Sequence, residues 1–341
     1  MKWVKQWWWL VLALVTFVLF DRALHHFYMR CTPNDAVVRG EASLDALDLH
    51  PEIELLVIGD SSGRWGVNTN ILTEELGVPA WNIATFHGAF PSQVTLIERA
   101  IERGTALKSV LIVHTENGQA KYIDHEGPEI TLAYFLTPYA VRFWYGHDLI
   151  DASTALEWTW ALASPSYRDG KGIEAFVLDL RKTSMQQLQT RYTASAQQRI
   201  DHFANRGHSR GVGKNGPGMG DFNYFIQVVL QQPWKFENHP DVDEWNERLL
   251  EITDRHGIKV FFALTPRMEK ILAHQKWPER VGQPVRDWAK GLNAQHPTFE
   301  LLAPDPFAAK ADEFYDTADH LNAKGAERYS RWIVAQLRGR L

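Results

Sequence analysis

Cysteine is almost missing from this chain: Cys31 is the single one among 341 residues. One thiol cannot close an internal disulfide, so cysteine usage leaves the redox compartment open. Arg30 precedes it, where a lipid-attachment cysteine needs a small residue, so Cys31 reads as an inert thiol. Basic excess is missing too. The net charge is −5, and no basic stripe with interleaved aromatics occurs, which excludes a nucleic-acid partner. There is no internal repeat. No Cys, His or Asp cluster has metal-ligand spacing, so neither a metal nor a cofactor is expected. The glycine-rich stretch 207–218 is not a phosphate-binding P-loop: His208 stands five before Gly213, and Asn215 follows Lys214 where Ser or Thr is required. It reads as a mobile surface loop, or as the lining of a substrate groove.

Charge is also absent from residues 7–20, between Lys2 and Lys5 on one side and Asp21 and Arg22 on the other. That run is short for a spanning helix, which prefers roughly 20 residues. No small-residue cleavage site comes after it, so an uncleaved signal anchor over residues 1–30 is expected rather than a signal peptide. Trp3 and Trp7, Trp8 and Trp9 would sit in an interfacial aromatic belt, and Leu24 and Phe27 would lengthen the helix. Lys2 and Lys5 favour a cytoplasmic N-terminus, with the remainder extracytoplasmic, or periplasmic; Arg22 and Arg30 weigh against that orientation.

The apolar content of the whole chain is 45%, enough for a sizeable core beyond the anchor. A linker and a first helix at 41–49 lead to a buried strand, Leu55-Leu56-Val57-Ile58, that runs into Gly59-Asp60-Ser61. A helix at 70–76, a strand at 80–84, a helix at 92–103 with Ser92 as N-cap, and a strand at 109–114 come next. This alternation predicts a parallel α/β sheet. The pattern lapses over about 119–240, which holds helical stretches at 132–145, 150–162 and 173–193 but no clear strand. It resumes with a helix at 242–256, a strand at 258–264 ending in Thr265-Pro266, a helix at 285–295, a strand at 299–302 and a last helix at 323–337. The expectation is one α/β domain over 31–341, its sheet core at about 52–118 and 240–341, split by a helical insertion.

Two stretches carry chemistry. Ser61 comes after a strand and precedes a helix, which exposes its hydroxyl beside free backbone N–H groups. The plainer reading is that Asp60 and Ser61 cap the next helix. His320, between the last strand and the last helix, also falls at the carboxyl edge of the sheet, where parallel α/β proteins bind ligands. A nucleophilic serine needs a base, and the base needs a carboxylate to hold its ring; Ser61, His320 and a nearby Asp supply these roles.

Gly59-Asp60-Ser61 and His320-Leu321-Asn322-Ala323-Lys324-Gly325 resemble the first and last blocks of the SGNH (GDSL-type) hydrolase superfamily. The resemblance covers about 52–118 and 240–341 and implies a flavodoxin-like parallel sheet. It also implies that Ser61 is the nucleophile, with an oxyanion hole formed by the N–H groups of Ser61 and Gly88 and the side-chain amide of Asn117. The family's aspartate lies three residues before the histidine, but here that position is Thr317. Asp316 is expected to take the role through a one-residue bulge. Asp319, adjacent to His320, is the alternative, although adjacent residues in an extended loop point apart.

The anchor, the split domain and the strand ending in Thr265-Pro266 resemble the membrane-tethered branch that acylates cell-envelope and secreted polysaccharides. These include the teichoic-acid D-alanyl transfer protein and the alginate and cellulose acetylation proteins. This implies a multi-pass membrane O-acyltransferase as acyl donor and a polysaccharide as acceptor. Trp144, Trp158, Trp160 and Trp234 of the insertion are candidates for stacking on sugar rings in an acceptor groove. Acyl transfer, ester hydrolysis with water as acceptor, and a non-catalytic envelope scaffold all remain open.

Overall fold

The computed structural model describes residues 2–31, 35–84, 90–115, 141–142, 145–146, 151–164, 170–208, 236, 240–274, 276–315 and 320–341. In chain order its elements are α1 (Lys2–Cys31), α2 (Asp35–Leu49), β1 (Leu55–Gly59), α3 (Ser61–Gly66), α4 (Thr69–Leu76), β2 (Ala80–Asn82), α5 (Phe90–Glu102) and β3 (Ser109–His114). Then come α6 (Ala152–Ala163), α7 (Gly170–Leu180), α8 (Met185–Ala204), α9 (Pro240–Arg255), β4 (Lys259–Leu264), β5 (Arg267–Met268) and α10 (Glu269–Leu272). A π turn at Pro278–Gly282 runs into α11 (Gln283–Gln295), followed by β6 (Phe299–Leu301), β7 (Ala308–Ala309) and α12 (Ala323–Leu337). The chain divides into two compact units, residues 1–39 with 132–200, and residues 40–131 with 201–341.

The second unit is built on a five-stranded sheet in the order β2-β1-β3-β4-β6. Every pairing is parallel, with Leu55 beside both Ala80 and Ser109, Ser109 beside Lys259, and Val260 beside Phe299. All five expected strands join it. β1 and β3 are buried along their whole length, which is why they read as unbroken apolar runs rather than alternating ones. α12 packs on α3 and α4, α9 packs on α5, and α11 packs on β6. The switch point of this order lies between β1 and β3, and the crevice outside the carboxyl ends of those strands is where open sheets bind ligands.

Several boundaries differ from expectation for local reasons. α2 begins at Asp35, well before residue 41. α5 begins at Phe90, so Ser92 lies in its first turn instead of capping it, and Pro91 occupies a position where no N–H is needed. The helix expected over 173–193 is two helices. Ser184 starts the second: its Oγ accepts from the Gln187 N–H while its own N–H donates to Gln187 Oε1, a capping box. Gly207 is not the start of a surface loop. It is buried against β2 with φ +82°, where an added Cβ would lie 1.7 Å from the Asn82 carbonyl oxygen. Residues 209–218 lie outside the described residues, as does most of the helix expected at 132–145.

In the first unit, Tyr28, Met29 and Cys31 of α1 form a small core with Ile173 and Phe176 of α7. The rings of Phe27 and Tyr28 both meet Phe176 edge-on. Ser195 Oγ of α8 donates to the Met29 carbonyl. Residues 7–20 of α1 are exposed throughout. Among the described residues one helix is long and apolar enough to cross a membrane, at Trp7–Cys31 with mean hydropathy 1.6.

A clamp at the amino-terminal edge of the sheet carries a pH dependence. His296, just before β6, places Nδ1 2.6 Å from Asp254 Oδ2 and Nε2 3.1 Å from Glu247 Oε2, both on α9. Thr298 Oγ1 donates to Asp254 Oδ1. Burial pushes the ring down, but the two carboxylates outweigh it and hold His296 above its ordinary value. With the folded value above the unfolded one, near 6.5, the stabilisation is complete below that pH and is lost as pH rises through the folded value. Thermal melts should therefore show this contribution fading as pH rises above about 6.5 in the parent chain, with that part of the slope missing in His296→Gln.

Candidate active site

The site begins with a backbone turn. Gly59 ends β1 at φ +133°, and a Cβ there would lie 1.8 Å from the Val113 carbonyl oxygen on β3. Only glycine lets the chain turn this close to the next strand. The Asp60 N–H then donates to that same oxygen. Asp60 caps α3 by accepting from the Ser62 N–H at 2.8 Å. Ser61 is thereby the first residue of the helix, half-exposed. The capping reading holds for Asp60 and not for Ser61, and the Asp60 cap leaves the Ser61 hydroxyl at the helix start, partly exposed.

Asp60 does more than cap. It is 5% exposed, yet its carboxylate holds four partners. Oδ1 accepts from the Ser62 N–H and from Ser62 Oγ, the latter at 2.5 Å. Oδ2 accepts from the Thr115 N–H at 2.9 Å and faces His114 Nδ1 at 3.3 Å. Burial alone would raise its pKa, but His114, the Ser62 hydroxyl and the two backbone N–H groups more than offset this, and the net direction is down. The Ser62 hydroxyl also meets Thr265 Oγ1 just beyond β4, so the ends of β1, β3 and β4 are tied together behind Ser61. Tyr329 of α12, fully buried and donating to the Leu264 carbonyl, has its phenol pushed upward by burial and then by the Asp60 charge.

His320 arrives from the other end of the chain, 259 residues away, with Nε2 2.8 Å from Ser61 Oγ. Several residues in and around its block have a physical task. The Tyr315 N–H donates to the His320 carbonyl at 2.8 Å, closing the loop. Leu321 is wholly buried and pairs with Phe314. Asn322 caps α12 by accepting from the Lys324 and Gly325 N–H groups, while its Nδ2 donates to the Asp312 carbonyl. Gly325 passes so close to Glu313 that a Cβ would lie 2.4 Å from its carbonyl oxygen. Glu313 is itself buried and paired with Arg328. Trp65 of α3 stacks on both the His320 ring (5.9 Å, 25°) and the Tyr315 ring (5.3 Å, 13°).

Of the residues expected at the site, Ser61 and His320 come together. Gly88, Asn117, Asp316 and Asp319 lie outside the described residues. Trp144 and Trp234 do as well. Trp158 is 3% exposed and cannot offer a face to a sugar, whereas Trp160 is 59% exposed. Asp60 as a buried tie, His114 and Trp65 are additions that the sequence pattern does not single out, and Thr265, read there only as a strand end, gains a contact to Ser62; the one signal is that Asp60, His114 and Thr265 fall at strand ends on one sheet edge. A cleft of about 550 Å³ at the opposite edge, where β1 and β3 begin, is lined by Glu54, Lys108 and Arg338 and holds neither Ser61 nor His320. Among the described residues no three His, Cys, Asp or Glu side chains converge as a metal site. No protein-family model matches the chain, and a search of curated proteins returns no significant match.

Two outcomes are expected from this geometry. Asp60→Ala strands buried donors and His114, and should cost on the order of 3 kcal/mol in urea unfolding, while Asp60→Asn, which keeps the cap, should cost less. Trp65→Leu should slow reaction of Ser61 with an activated ester by freeing the His320 ring, with Trp65→Phe restoring most of the rate; equal rates in all three proteins would remove the stacking role.

Proposed function

We propose that this chain is a membrane-anchored SGNH-type serine O-acyltransferase, which moves an acyl group, first of all acetyl, to a cell-envelope or secreted polysaccharide. The observation that carries the reading is the 2.8 Å contact between Ser61 Oγ and His320 Nε2, joining residues from opposite ends of the chain at the carboxyl edge of the parallel sheet. The apolar α1 supports the anchor. The motif resemblance supplies the rest.

In this mechanism Nε2 takes the Ser61 proton as Oγ attacks the acyl carbonyl. The oxyanion is held by the N–H groups of Ser61 and Gly88 and the amide of Asn117. Collapse expels the donor's leaving group, which takes the proton back from His320, and leaves acyl-Ser61. An acceptor hydroxyl then attacks with His320 again as base, and free Ser61 returns. Asp316 holds the His320 ring from behind, with Asp319 the alternative. The donor is a multi-pass membrane O-acyltransferase, and the chain acts on the extracytoplasmic side of the membrane. The esterase reading uses the same steps with water as acceptor. It is favoured by one observation, the partial exposure of Ser61.

The test tracks both fates of the acyl group. p-Nitrophenyl acetate should acetylate Ser61, detected by mass, and Ser61→Ala should abolish it. With candidate glycans added in turn, slow release of free acetate and glycan-dependent formation of acetylated oligosaccharide are expected. Rapid release of acetate that no glycan affects would establish the esterase. Asp316→Asn should remove most of the activity and Asp319→Asn little; the reverse would give Asp319 the role.

A further inference from the structure

In the first unit the described helices leave apolar side chains in the open. On α6, Leu156 and Trp160 are 60% and 59% exposed, four residues apart on one face, and Ala163 extends that face. On α7, Val177 and Leu178 are exposed beside the buried Phe176. α6 contains no Lys or Arg and a single acidic residue, Glu157. A water-facing helix carries charge on its outer side.

The anchor has a matching deficiency. The exposed apolar stretch 7–20 of α1 spans about 21 Å at 1.5 Å per residue, short of a hydrocarbon layer about 30 Å thick. The next residue is Asp21, which is 6% exposed and accepts from Ser164 Oγ at 2.7 Å. Ser164 is the C-cap of α6. A carboxylate is tolerated at membrane depth when protein covers and hydrogen-bonds it. So α6 ends against α1 at the level where the wholly exposed run of α1 stops.

We infer that α6 lies in the lipid interface, with Leu156 and Trp160 set into the headgroup and acyl-chain boundary, and completes the anchor that α1 begins. Trp at that depth keeps its ring in the apolar zone and its indole N–H at the headgroups. The occupant of this face is lipid, because α6 abuts the exposed apolar helix of the same unit through Ser164 and Asp21 and lacks the charge a water-facing surface would carry. The inference rests on reading α1 as entering a bilayer.

The full chain is reconstituted in liposomes of phosphatidylcholine and phosphatidylglycerol. Leu156→Cys and Trp160→Cys are each labelled with a polarity-sensitive fluorophore. Leu12→Cys in α1 serves as the membrane reference and Glu74→Cys as the aqueous one. Cys31 is buried, and the unsubstituted chain measures its background labelling. The labels at 156 and 160 should be quenched about twofold or more by lipid carrying a shallow doxyl group and shielded from aqueous iodide. If they respond like the label at 74 while the label at 12 is quenched by lipid, the interfacial helix is overturned and the anchor stands. If the label at 12 also stays aqueous, both readings fall. Shielding present in native membranes but missing in pure lipid would assign the face to a membrane protein and overturn lipid as its occupant.

Discussion

The buried carboxylate of Asp60 is the constraint around which the carboxyl edge of the sheet is arranged. A charge 5% exposed is costly unless its lone pairs are filled, and here two backbone N–H groups, a hydroxyl and an imidazole fill them. Each partner comes from a place the fold must bring close: the start of α3, the end of β3 and, through Ser62, the end of β4. Such a tie is weak as a source of net stability, since an apolar cluster of similar volume does as well. It is strong as a device for position. The residue between the carboxylate and the turn of α3 is Ser61, and it has little freedom to be anywhere else.

The histidine side is fixed by different means. A cap, a core residue and a close backbone approach hold the chain beside His320, at Asn322, Leu321 and Gly325. Trp65 joins the two halves, because it grows from the Ser61 helix and lies on the His320 ring. A 2.8 Å contact between residues so far apart in sequence survives only if both supports are rigid, and both rest on helix starts packed on the sheet.

How much of this is legible in the sequence depends on the range of each interaction. Buried parallel strands are continuous apolar runs, so β1, β3 and β4 can be read directly, and with them the edge where Ser61 and His320 fall. The Asp60 contacts to His114 and Thr115 cannot, since they depend on β1 lying beside β3. Ser62 to Thr265 spans 203 residues and leaves no local trace. Asp60 looks like a cap because it is one; its second task is visible only in three dimensions. The break before α8 is different: Ser184 and Gln187 are a capping box at its ordinary spacing, masked by the long polar, helix-favouring run around them. Gly207 is hidden for the opposite reason, because a glycine-rich composition suggests a free loop, while this glycine is required by the Asn82 carbonyl against it.

In the insertion, composition alone does not reveal what the helices pack against. Its tryptophans suggest a surface for sugars, yet Trp158 is buried within its own unit, and Ile173 and Phe176 close over Tyr28, Met29 and Cys31 of α1. The residues that pack on α1 in this unit come after it in the chain. Here the packing residues come more than 140 positions later, so the lower end of α1 stays unfinished until they are made. Closing so long a loop costs little more than closing a short one, since the entropy grows only with the logarithm of length. Delay is therefore a small penalty, and the gain is a helix end held by protein on several sides. The buried apolar residues of α7 are then explained by α1 itself, since Ile173 and Phe176 are side chains that close over its end.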